Sequence, residues 1–162
     1  MRRFNCSVTI DVPRERVFEY LADIANHAEF SDHYLKDFRL ERLESRGVGA
    51  AARFRIAFGA SQWGEIVIAD LEPPYKVALE GRTGRLGRVA IEAAYTLTPH
   101  GQSMTRVDYE VATTPATRVD DLRPMLGGRA WLKHQSRRAL RRLADVLEHG
   151  EPSARAAGVA AG

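Results

Sequence analysis

The sequence predicts an α+β domain in which a seven-stranded antiparallel sheet packs on one long C-terminal helix, with two short helices inserted after the first strand. Three observations predict it. Between Val8 and Leu35 the chain changes from a strand period to a helix period within a few residues; about eighty residues then pass without a helical stripe; and one long amphipathic run closes the chain. At 162 residues, a single hydrophobic core is expected.

Each element follows from local chemistry. Ser7, Val8, Thr9 and Ile10 alternate polar with apolar or β-branched side chains, as a strand does. Asp11 is placed to cap a helix, and Pro13 to open it where no N–H is required. Val17, Phe18, Leu21 and Ile24 then share one helical stripe. Residues 26–33 read as a second short helix or turn, with Phe30 as its buried anchor. Six strands are expected next, over residues 34–44, 52–58, 63–71, 77–81, 89–97 and 105–111. In the second of these Phe54, Ile56 and Phe58 fall on one face and Arg53 and Arg55 on the other. Gly59, Pro73-Pro74, the glycines between 81 and 87, and Pro99-His100-Gly101 supply the turns, and loops this short predict an antiparallel meander.

The last helix is expected to begin near Thr117 and to stop at His149-Gly150. Leu122, Met125, Leu126, Leu132, Leu140, Leu143, Val146 and Leu147 form its apolar stripe. Gly127-Gly128 predicts a bend, since each glycine costs about 1 kcal/mol relative to alanine inside a helix. Residues 1–150 thus make one domain, and the aperiodic stretch 151–162 reads as a disordered tail.

Composition narrows the function classes. The formal charge of +3 and isoelectric point near 9.3 come from arginine, because lysine occurs only at positions 36, 76 and 133. The 21 acidic residues are interspersed with the basic ones, so no nucleic-acid partner is expected. Cys6 stands alone, which forbids an internal disulfide, and no cysteine–histidine spacing suits a metal; a reducing cytoplasm fits. Polar residues follow Arg2 and Arg3 where an export signal needs an apolar run, and nowhere do eighteen apolar residues run together, so no integral membrane contact is expected. No cofactor is predicted.

The order strand, two short helices, six strands, long helix is the helix-grip order. The chain resembles the START-like (SRPBCC) superfamily of polyketide cyclases/dehydrases, lipid-transfer domains and birch-pollen-allergen-type proteins. DVPRERVFEYLADIANHAEF, EIVIADLEPPYKVALEG and TRVDYEV carry the resemblance, which spans residues 3 to 149. It implies a curved sheet wrapped around the last helix, with an apolar cavity between them. The expected lining is Phe54, Ile56, Phe58, Trp63, Tyr95 and Tyr109 from strands and Met125 and Trp131 from the helix, with Phe30 and Tyr34 near the mouth.

Binding or transport of a small hydrophobic molecule (lipid, polyketide or quinone) is the function this implies. The alternative is a polyketide cyclase/dehydratase without metal or cofactor, for which Glu65, Tyr95, Tyr109 and His33 are the candidate proton-moving or carbonyl-polarising groups. Glu65 shares a strand face with Trp63: turned inward it would be a buried base, turned outward it would pair across the sheet with an arginine. His27 and His33 are expected near the mouth, as solvated imidazoles. A third reading uses the basic face of the last helix, with Arg129, Lys133, Arg137, Arg138, Arg141 and Arg142, as a contact for a protein partner or a membrane surface, in a monomer or homodimer.

Overall fold

The computed structural model describes residues 2–59, 62–116 and 128–150. Its elements are β1 (Arg2–Ile10), α1 (Arg14–Leu21), a 3-10 turn (Ile24–Asn26), α2 (His27–Ser31), β2 (Leu35–Leu40), β3 (Ala51–Ile56), β4 (Gln62–Glu72), β5 (Lys76–Thr83), β6 (Val89–His100), β7 (Met104–Pro115) and α3 (Arg129–His149). The expected start of the last helix, its Met125 and the 151–162 tail lie outside the described residues.

All seven strands form one antiparallel sheet in the order β1-β7-β6-β5-β4-β3-β2. The meander runs from β2 to β7, and β1 then pairs with β7, so β1 and β2 are the two edges. Burial follows the register. Phe4, Cys6 and Ile10 of β1, Ala52 and Phe54 of β3, Ile68 of β4, Val77 and Leu79 of β5, Tyr95 and Leu97 of β6, and Val107 and Val111 of β7 all face the core. The sheet curves around α3, whose buried stripe is Ser136, Ala139, Leu140, Leu143, Ala144 and Leu147.

Two glycines on the inner face permit the curvature. A Cβ on Gly81 would lie 2.1 Å from the Glu65 carbonyl oxygen, and one on Gly64 would lie 2.7 Å from the Phe54 ring. Only a residue without a side chain lets β4 and β5 close up this far and lets Phe54 lie across its partner strand.

Two local expectations are corrected. Asp11 does not cap α1: the Pro13 carbonyl accepts from the amides of Arg16 (3.0 Å) and Val17 (3.2 Å), while the Asp11 amide donates to Glu148 Oε1 at 2.9 Å. The helix starts two residues later because the extended Pro13 already turns the chain into it. Strand β2 ends at Leu40, short of the 44 expected, because the chain bends at residues 41–43, and it carries an internal bulge where Asp37 adopts a left-handed φ of 51° and the register slips between Lys36 and Arg39.

Candidate functional site

Alternation along the strands sorts the sheet into two chemically different faces. Outward go Arg53, Arg55, Glu65, Glu80, Arg82, Glu92, Asp108 and Glu110. Inward go Ile66 and Ile68 of β4, Leu79, Gly81 and Thr83 of β5, Ile91, Ala93, Tyr95 and Leu97 of β6, and Thr105, Val107, Tyr109 and Val111 of β7. From Phe4 onward, no charged residue occupies an inward position on any strand among the described side chains.

The concave face has a sealed end and an open end. At the sealed end Ile68, Val77, Leu97 and Val107 meet α1 and the Leu140–Leu147 side of α3, and each is at most 4% exposed, as are Leu140, Leu143 and Leu147. At the open end Ile56, Ile66, Ile91, Tyr109, Trp131 and Leu132 keep part of their surface uncovered. Phe58 is 40% exposed but packs on Trp131 with ring centroids 4.8 Å apart, and Trp131 meets Tyr34 edge-on at 6.1 Å. These three rings join β2, β3 and the first turn of α3 around one opening.

Tyr109 has a particular position. It faces inward beside the fully core-packed Tyr95, yet part of its surface remains uncovered. The two rings stack at 4.5 Å as direct cross-strand partners. Burial drives both phenols far above the usual tyrosine range. Tyr34 is raised for the same reason. Cys6, the register partner of Tyr109, completes this group; burial raises its thiol although Arg137 and Lys133 favour the thiolate.

The histidines are not the solvated pair expected. His27 is 3% exposed, donates from Nε2 to the Leu21 carbonyl at 2.9 Å, and sets its ring against Phe30 (5.3 Å) and Tyr95 (5.8 Å). Burial lowers its pKa, so it is neutral. His33 is half-buried, donates from Nε2 to the Gln135 carbonyl at 3.3 Å, and is also lowered, mainly by burial. Its Nδ1 is buried without a partner.

Three further expectations fail. Trp63 lies on the convex face, 43% exposed, with the Arg53 guanidinium 4.6 Å from its ring centre, so it lines no cavity. Glu65 shares that face, directly opposite Arg53 and Arg82, and is no buried base. Phe30 is 2% exposed beneath Tyr20 and His27, a core anchor with no surface at the mouth. Met125 lies outside the described residues. Phe54, Ile56, Phe58, Tyr34, Tyr95, Tyr109 and Trp131 do converge on the inner side. Cys6, Thr83 and Ser136 were not anticipated as inner-face residues, although Cys6 continues the alternation of Phe4, Val8 and Ile10 and was legible from it. On the basic helix face, Arg142 is committed to Asp32 at 2.5 Å and to the Glu29 carbonyl at 3.2 Å, and Arg129 donates to the Arg3 carbonyl at 2.6 Å. No helix among the described residues is long and apolar enough to cross a membrane.

A curved antiparallel sheet gripping a terminal helix, with an uncharged inner face open at one end, defines the helix-grip class of cavity proteins. The chain belongs to the family described as polyketide cyclase / dehydrase and lipid transport, which it matches over residues 1–148. Among solved structures it is similar to a protein of Thermus thermophilus (14% identity, TM-score 0.68, covering 90% of this chain and 97% of that one). A protein of Nitrosospira multiformis is similar at 13% identity and TM-score 0.67, over 91% and 97% of the two chains. A major latex-like protein of Panax ginseng is similar at 11% identity and TM-score 0.66, over 90% and 97%. At these identities the likeness is one of fold. None of the curated proteins matches this sequence.

Proposed function

We propose that the protein binds and carries a small hydrophobic molecule, of the lipid, polyketide or quinone kind, between the sheet and α3. One observation carries this reading: among the described side chains the inward strand positions from Phe4 onward are uncharged, and at one end their apolar and aromatic side chains keep part of their surface uncovered by the protein itself. Apolar surface withheld from the protein's own core gains about 25 cal/mol per Å² when a guest covers it. The family, whose description includes lipid transport, supports the same reading.

Carriage is favoured over turnover by the state of the polar groups. The tyrosine pair can donate a hydrogen bond but cannot serve as a base near neutrality, and Glu65, the one carboxylate among the candidate catalytic residues, faces away from the cavity. The test is native mass spectrometry of the full chain after incubation with a total lipid extract. A retained apolar mass, displaceable by an environment-sensitive naphthalene dye, is the expected result. No retained mass and no dye binding would overturn the reading.

A further inference from the structure

The inner face also restricts which hydrophobic molecule fits. We propose that the cavity selects an uncharged guest bearing an oxygen acceptor, of the ketone, ester or quinone-carbonyl kind, with the Tyr109 hydroxyl as donor, and that it rejects the corresponding carboxylate. This rests on the hydrophobic-carrier reading above and sharpens it.

The first ground is the charge inventory. A carboxylate brought into a low-dielectric space needs a cation or several donors aimed at it, or it costs several kcal/mol. The described inward positions of the strands supply no arginine or lysine, and the cations nearest this wall, Lys133 and Arg137 of α3, are half-buried and exposed respectively. The arginines of the sheet are turned to the convex side, where Arg53 covers Trp63 and Arg55 is paired with Asp37.

The second ground is the number of donors. A phenol carries one O–H donor, and among the described residues neither the Tyr95 nor the Tyr109 hydroxyl is spent on a backbone carbonyl, although their rings stack at 4.5 Å on the inner face. Tyr109 is the member of the pair with uncovered surface, so the free donor lies where a guest would.

The third ground is the local field. The Cys6 thiol is the group on this wall that feels the basic helix face, through Lys133 and Arg137, and burial still holds it neutral. The interior therefore favours uncharged forms even where the nearest cations pull the other way.

The experiment uses three probes of one size on the full chain at pH 7, by isothermal titration: 2-acetylnaphthalene, 2-ethylnaphthalene and 2-naphthoate. The ketone is expected to bind tightest, the hydrocarbon about three- to tenfold more weakly for want of one hydrogen bond, and the carboxylate on the order of a hundredfold more weakly. Tyr109→Phe should bring the ketone down to the affinity of the hydrocarbon and leave the hydrocarbon unchanged. If that variant does not fold, the preference of the unaltered protein for the ketone over the hydrocarbon decides, and equal binding of the two overturns the donor assignment. Naphthoate binding as tightly as the ketone would overturn the selection rule and leave the carrier reading standing. Failure of all three probes to bind would overturn both.

Discussion

The sealed and open ends of the concave face are built from the same strands by the same alternation, yet one is filled and the other is not. Leu97 and Val107 on one side and Ile91, only six residues from Leu97 along β6, differ little in chemistry. They differ in what lies above them. Over Leu97 and Val107 sit α1 and the Leu140–Leu147 side of α3, whereas Ile91 and Ile66 face the mouth where Phe58 and Trp131 meet. Side-chain type therefore sets which face is apolar, and the placement of helices sets which part of that face remains available to a guest.

The largest effect expected from this contrast is at Leu143, which is fully buried. Leu143→Ala should cost about 2–5 kcal/mol in urea unfolding and leave the ketone affinity of the remaining folded protein unchanged. A cost below about 1 kcal/mol would break the claim that this end is solidly filled.

Next comes pH. His27 belongs to the sealed end, and its folded-state pKa is lowered by burial, so the unfolded chain takes up its proton first as pH falls. Stability contributed by the neutral ring is full above the unfolded histidine range, near 6.5, and falls by up to about 1.4 kcal/mol per pH unit below it. Denaturant titrations at pH 7.5, 6.5 and 5.5 should show that decline, and His27→Gln should flatten it. An unchanged slope in the variant would remove His27 from the sealed end's account.

At the open end, Ile91→Ala should cost about 1 kcal/mol or less, because its side chain is only half covered, and should weaken dye binding. A cost equal to that at Leu143 would erase the distinction between the two ends. The smallest effect is expected at Trp63→Ala, within about 0.5 kcal/mol and with no change in probe affinity, since the ring lies on the convex face.

The fold was legible because periodicity reports it directly. Phe54 and Ile56 against Arg53 and Arg55 state which way β3 faces, and the unbroken stripe through Leu140, Leu143 and Leu147 states which side of α3 is buried. The site was less legible, for physical reasons that differ by residue. Ile66-Val67-Ile68 is apolar at consecutive positions, so the parity of β4 is ambiguous and a tryptophan at 63 suggests the wrong face; the register with Phe54 through Gly64 decides it. His27 reads as a surface residue because histidine usually is, and only the turn that folds α2 beneath Tyr95 takes it out of water. Tyr95 and Tyr109 were anticipated singly, but that their rings stack depends on a cross-strand register that no local pattern encodes.

The crease where β5 meets β4 at Gly81 bears on how this scaffold diversifies. With a methyl group there only 2.1 Å from a backbone oxygen, any larger residue would pry the two strands apart and flatten the bowl. The width of the mouth is thus tied to a single missing side chain, and altering it offers a route to new guests that leaves every residue of the lining in place.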